Sequence, residues 1–197
     1  VRGAFYKSLD NLKAQGYTVV DIEIKNLDLS LAVYYILMTA EVSSNMGRYD
    51  GVRFGEHTAG ESVNDSITRT RSDYLGDEVR RRIMLGTYVL SAGYYDAYYN
   101  KGIATRDALQ DEFKNVFQKV DYIATPTSPI TAWKIGEKSD PLSMYLADIF
   151  TVSANIVGVP AISAPAGVDS NGLPIGIQFM STWGDESGLF AIGKDIK

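Results

Sequence analysis

The chain has 197 residues, 45% hydrophobic and 22% charged, with a net charge of -5, which fits a globular fold and argues against a nucleic-acid surface spread over the whole molecule while leaving room for a local basic patch. It has no cysteine and one histidine, His57, so disulfides, thiolate metal sites and paired-histidine metal motifs are excluded and no metal site is expected. No apolar run approaches the ~18 residues of a membrane span, so no membrane contact is expected, and the lack of cysteine fits the cytosol without deciding it.

Residues 2–15 place Phe5, Leu9 and Leu12 at helical spacing, with Gly16 behind them as a C-cap. Tyr17 to Ile24 alternates, with Val20, Ile22 and Ile24 on one side, which predicts a strand. Helix, glycine and strand in succession point to an α/β fold. Leu29, Val33, Ile36, Leu37 and Ala40 return to helical spacing, with Ser30 as the candidate cap. The segment AEVSSNMGRYDGVRFG (40–55) then crowds together Glu41, Asn45, Arg48, Asp50 and Arg53. Turn chemistry at Asp50-Gly51 reads it as a helix end running into a solvated turn. The alternative is an active-site wall, since polar loops on rigid scaffolds carry function. Residues 56–72 read as a surface loop or mobile flap, with His57 exposed and outside any chemistry.

The stretch Asp77–Gly102, DEVRRRIMLGTYVLSAGYYDAYYNKG, reads as a helix opened by acids and closed by a glycine. At about 100° per residue, Val79, Ile83, Gly86, Leu90 and Ala97 share one face. Of the three consecutive arginines only Arg82 lies beside that face; Arg80 and Arg81 rotate away. A guanidinium beside a core-facing stripe requires an anion, supplied by a protein carboxylate or by a bound one.

Thr105 is the candidate cap of a helix with Leu109, Phe113, Val116, Phe117 and Val120 on one face. Tyr122–Thr125 is a short strand, stopped by Pro126-Thr127-Ser128-Pro129 because neither proline donates to a ladder. A rigid loop at a strand end is a place for substrate contact in an open α/β sheet, a weak signal by itself. Asp140-Pro141 starts a helix running to Gly158. Within it Asp148, among Met144, Tyr145, Ile149 and Val152, either points outward or is buried against a cation. Asn155 falls near apolar neighbours and needs partners for its amide. Residues 158–166 read as a buried strand, Asn171-Gly172 as a turn, and Ile175–Met180 as the returning strand, where Gly176 allows close backbone approach. No repeat or linker interrupts the chain, so residues 1–197 read as part of a single domain. Both ends fall inside amphipathic patterns, as expected of a piece of a longer chain.

Three stretches together resemble the amidase signature family, and within it the tRNA-dependent amidotransferase branch. They are AEVSSNMGRYDGVRFG, VRRRIMLGTYVLSAGYYDAYYNKG, and DPLSMYLADIFTVSANIVGVPAISAPAG followed by GLPIGIQFM. The last is shared with amidases broadly; the tyrosine-rich helix and SSNMGRYDG resemble the tRNA-dependent branch in particular. The resemblance implies an α/β amidase-signature fold, a mixed β-sheet flanked by helices, of which this chain is the C-terminal portion. It also implies hydrolysis of glutamine by a serine nucleophile, with a second serine and a lysine, in a glycine- and serine-rich signature. No such signature occurs here, and Ser43-Ser44 lacks flanking glycines and a suitably placed lysine. No catalytic residue is therefore expected in this chain, and alone it is expected to be inactive.

What the resemblance assigns to this portion is the substrate pocket. Arg82 matches the position that binds the α-carboxylate of glutamine, Asp148 the one that binds its α-amino group, and Tyr34 a tyrosine near the side-chain end. A guanidinium suits a carboxylate and a carboxylate suits an ammonium, so the pair selects a zwitterion. Glu41, Asn45, Arg48, Asp50 and Asn155 are then expected to support that pocket, with Arg48–Asp50 and Arg53–Glu41 as candidate pairs. The resemblance further implies a cytoplasmic complex in which ammonia passes from the amidase to two partners, the B and C subunits. On the B subunit, ATP and Mg2+ activate misacylated glutamyl- or aspartyl-tRNA, and the C subunit wraps between the other two. This chain itself holds no cofactor on that reading. Two alternatives compete: a stand-alone amidase acting on another amide, and a non-catalytic interaction module using Arg69, Arg71, Arg80 and Arg81 as a patch for an anionic partner or RNA.

Overall fold

A computed structural model describes residues 1–137 and 144–196. Its helices in chain order are α1 (Arg2–Ala14), α2 (Ser30–Asn45), α3 (Val63–Tyr74), α4 (Asp77–Val89), α5 (Lys101–Phe117), α6 (Val152–Val157) and α7 (Glu186–Asp195). The strands are β1 (Tyr122–Pro126), β2 (Ala161–Val168) and β3 (Pro174–Ser181), in the antiparallel order β1-β3-β2. The chain divides into two compact units, Val1–Tyr34 with Thr105–Lys197, and Tyr35–Ala104.

The first unit is built on the central strand. In β3, alternation sends Ile177 and Phe179 to one face, where they pack with Leu12 of α1, Ala164 of β2, and Leu189 and Ile192 of α7. The opposite face carries the buried Gln178. The hairpin from β2 to β3 closes as its sequence demands: Asp169 Oδ1 accepts from the backbone N–H of Asn171 (2.8 Å) and Leu173 (2.9 Å), and Gly172 takes φ +80°. Those donors, with the Thr131 hydroxyl, hold the Asp169 carboxyl below its ordinary value. Along the ladder, Pro165 opposes Gly176 but Gly167 opposes Ile175, so Ala166 is the extra residue of a bulge. At the end of α1, Gly16 (φ +98°) donates to Lys13 O and Tyr17 N–H to Leu12 O, a Schellman closure that swings Tyr17 onto the core. The Tyr17 hydroxyl then donates to Asp195 Oδ2 at 2.7 Å, which raises its pKa above the usual value.

The second unit depends on close approach. At Gly86 of α4 an added Cβ would lie 1.9 Å from the carbonyl oxygen of Thr39 on α2. The Thr39 hydroxyl turns back on its own helix and donates to Tyr35 O at 2.6 Å. Arg71 of α3 donates through Nη1 to Met46 O (2.8 Å) and Tyr49 O (3.0 Å), tying down the turn after α2. The buried Thr70 accepts from Thr58 N–H at 2.9 Å.

Several expectations are corrected. Tyr17–Ile24 forms no strand and joins no ladder among the described residues, and Val20 and Ile22 are exposed. Alternation in the sequence does not by itself supply a partner strand. Ser30 is already helical (φ -54°, ψ -42°), because a 3-10 turn at Leu27–Leu29 leads into α2; its buried hydroxyl has no hydrogen-bond partner, and Leu29 is exposed. More than half of the expected 56–72 loop is α3, capped by Ser62, whose hydroxyl accepts from Asp65 N–H at 3.2 Å, and reinforced by Asp65–Arg69 at 3.0 Å. Capping and an i,i+4 pair support a helix too polar to show an apolar stripe. His57 is exposed, as expected.

The stretch Asp77–Gly102 is not one helix. α4 stops at Val89, and Gly93 then adopts φ +84°, a left-handed turn after which the chain re-enters through a π-helical turn at Tyr95–Asn100 and continues as α5. Ala97 is accordingly exposed, and Thr105 sits inside α5, four residues past its start, and not at its N-terminal cap. Asp140-Pro141 lies outside the described residues. The remainder of that expected helix is divided into a 3-10 turn at Leu146–Asp148 and α6, ended by Gly158 at φ +81°. The strand expected at 158–166 begins at Ala161, and as an edge strand it buries only Ala164.

Candidate functional site

Arg82 projects from the middle of α4 with its side chain 32% exposed, against 48% for both Arg80 and Arg81, so it is the inward member of the three. The anion that this position requires is present one turn back: Glu78 Oε1 accepts from Arg82 Nε at 2.8 Å, while Glu78 Oε2 takes Arg81. Arg82 Nη1 lies 3.7 Å from the sulfur of Met38 on α2. A half-exposed i,i+4 pair contributes little stability, at most about 1 kcal/mol, so Glu78 orients the guanidinium more than it holds the fold.

Around the end of α2 the polar residues form a local chain. Asn45 Nδ2 donates to Glu41 Oε2 at 3.3 Å, and Arg48 donates to Asn45 O at 3.1 Å and Oδ1 at 3.0 Å. The expected Arg48–Asp50 and Arg53–Glu41 ion pairs do not form. Asp50 Oδ1 instead accepts from Val52 N–H (2.8 Å) and Arg53 N–H (3.3 Å), which lowers its pKa, and Gly51 completes the turn at φ +78°. An Asx turn satisfies the carboxylate with donors already in place, whereas a long arginine side chain must be ordered to do so. Tyr34, on α2, is half-buried.

In the first unit, Asp148 ends the 3-10 turn with an exposed side chain, so the outward orientation is the one adopted. Its carbonyl accepts from Thr151 N–H (2.9 Å) and Thr151 Oγ1 (3.1 Å). Asn155 is exposed, not packed among apolar neighbours, and its Nδ2 donates to Thr151 O at 3.2 Å. Asn155, on α6, thus reaches back to Thr151, which in turn bonds the Asp148 carbonyl.

The same unit contains an open cavity of about 490 Å³ at the Pro126–Pro129 loop, lined by Thr127, Ser128, Trp133, Ser163, Pro165 and Gly176 among others. The hydroxyls of Thr127 and Ser163 lie 2.7 Å apart, and a Cβ on Gly176 would meet them at 2.6 and 2.8 Å. The strand-end loop was legible in sequence. The Ser163 partner was not, because register places it there. Among the described residues no three acidic or histidine side chains gather as a metal site, and no helix is long and apolar enough to cross a membrane.

The Amidase family model matches residues 1–190. The chain belongs to the amidase family. The A subunit of glutamyl-tRNA(Gln) amidotransferase from Maricaulis maris is 48% identical over 98% of this chain and 40% of its own length. Its counterpart from Halothermothrix orenii is 50% identical over 91% of this chain and 38% of its own length. The crystal structure of the glutamyl-tRNA(Gln) amidotransferase A subunit from Thermotoga maritima superposes with a TM-score of 0.73 at 40% identity, covering 99% of this chain and 38% of that one. The chain spans about two fifths of the length of the curated relatives it matches. The α/β class agrees with these neighbours, and the part of the sheet carried here is antiparallel.

Proposed function

We propose that this chain is the glutamine-binding portion of the amidase component of a tRNA-dependent amidotransferase. The observation that carries the reading is the 48% identity to an amidotransferase A subunit over 98% of the chain. In the proposed role Arg82 receives the α-carboxylate of glutamine, with Glu78 orienting its guanidinium. Asp148 receives the α-ammonium and Tyr34 borders the side-chain end. Glu41, Asn45 and Arg48 brace the end of α2, Asp50 the turn behind it, and Asn155 the turn of Asp148. Two opposite charges select a zwitterion, because an apolar amide leaves both without a counterpart. That requirement disfavours a stand-alone amidase for hydrophobic amides.

The nucleophilic serine, its partner serine and the lysine lie elsewhere in the full-length protein on this reading, and this chain alone does not hydrolyse glutamine. The complete amidase releases ammonia to the B subunit, where ATP, Mg2+ and misacylated tRNA are bound, with the C subunit between them, in the cytoplasm. The test is glutamine hydrolysis by the full-length amidase in its complex. Arg82→Ala raises KM for glutamine by about two orders of magnitude, as expected for loss of a charge-assisted bidentate contact, while Arg81→Ala changes it less than about twofold. Equal losses from the two substitutions refute the assignment.

A further inference from the structure

Gln178 is 4% exposed, on the face of β3 turned away from the apolar core. A buried amide is costly unless its donors are used, and here Nε2 is used twice. It donates to Thr125 Oγ1 on β1 at 3.0 Å and to the carbonyl oxygen of Phe150 at 2.8 Å. Phe150 stands two residues after Asp148, in the turn between the 3-10 turn and α6. That turn is already drawn tight by Thr151 on the Asp148 carbonyl and by Asn155 on Thr151 O. Gln178 is therefore the bond that ties this turn to the rigid sheet. The exposed Asp148 carboxylate would otherwise ride on a short irregular segment, whose orientation local bonds alone do not fix.

We propose that Gln178 is a positioning residue for glutamine recognition: by holding the Phe150 carbonyl it sets the turn that presents Asp148 to the substrate ammonium. The inference rests on the reading of Asp148 given above, and its content is specificity. Gln178 acts through one charge only, so its effect is confined to substrates carrying an α-ammonium.

The experiment is steady-state hydrolysis by the full-length amidase in its complex. The substrates are glutamine and the glutamine analogue lacking the α-ammonium group. Gln178→Met raises KM for glutamine about tenfold, the scale of one well-made buried hydrogen bond, with kcat within about twofold. Its kcat/KM for the analogue stays at the wild-type value. Combined with Asp148→Asn, it adds no further loss on glutamine. Equal losses on both substrates, or a fall in kcat at constant KM, overturn the proposal. An impaired Asp148→Asn beside an unimpaired Gln178→Met overturns it alone; an unimpaired Asp148→Asn removes the reading of Asp148 and the proposal with it. If Gln178→Met does not fold, Thr125→Val decides, since it loosens the amide without removing it. A KM rise of about threefold on glutamine and none on the analogue is expected, and no change on glutamine overturns the proposal.

Discussion

The two compact units reach order by different physical means. In Val1–Tyr34 with Thr105–Lys197, a central strand is sandwiched by apolar side chains, and Ile177 and Phe179 disappear between two helices and a flanking strand. In Tyr35–Ala104, the decisive contacts are backbone on backbone at Gly86 and side-chain hydrogen bonds to carbonyls from Arg71 and Thr39. The first kind of order tolerates exchange of one apolar side chain for another of similar volume. The second does not, because nothing larger than hydrogen fits where Gly86 meets Thr39. The proposed recognition residues inherit the difference. Arg82 stands one turn from the Gly86 contact, whereas Asp148 stands on a turn tied to the sheet.

Substitutions in the two units test this contrast. The largest effect is expected from Phe179→Ala, which empties the centre of the first core and costs about 3–5 kcal/mol. Denaturant unfolding of the full-length protein, followed by hydrogen exchange, should show protection lost first in β1–β3 and α7. Gly86→Ala should cost about 1–3 kcal/mol by overpacking. Helix propensity alone would make it stabilising by about 1 kcal/mol, so the sign of the change decides whether the close approach governs the second unit. A stabilised variant would show that the contact yields. The smallest effect concerns the tyrosines of the second unit. The hydroxyl of Tyr88 is hydrogen-bonded to Tyr94, with ring centroids 4.2 Å apart, and this pushes its pKa from 10.0 up to about 12. The folded state therefore holds that proton more tightly than the unfolded chain. Its contribution is complete below pH 10 and is lost as pH rises from about 10 to about 12. A tyrosinate absorbance titration should show the highest-titrating phenol disappear in Tyr88→Phe and return toward the ordinary value in Tyr94→Phe.

The sequence carried much of the first unit openly. The apolar spacing of Phe5, Leu9 and Leu12, the strand at Tyr122, the Asn171-Gly172 turn and the returning strand all stand where alternation and turn chemistry put them. Far less of the second unit could be read. α3 has no apolar stripe to announce it, and its cap and ion pair are signals only when weighed together. The break after α4 turns on Gly93, one of two glycines in a long helical pattern, and the pattern does not say which of them bends the chain and which lets a neighbour approach. At the candidate site, the inward rotation of Arg82 followed from periodicity, and Glu78 as its partner lay within the same arithmetic at i,i+4. The bond from Gln178 to Phe150 spans 28 positions and depends on strand register, which no local pattern encodes.

Thr127 N–H donates inward to Gly176 O at 3.0 Å, so alternation turns the preceding position, Pro126, toward the outer side of β1. At that point the outer side of β1 offers no N–H. An incoming strand seeking to extend the ladder beside the Thr127–Ser163 hydroxyls would find an acceptor with no donor to answer it. Beside the cavity, the outer side of β1 is thus one donor short of a continuous ladder, which weakens strand addition at Pro126.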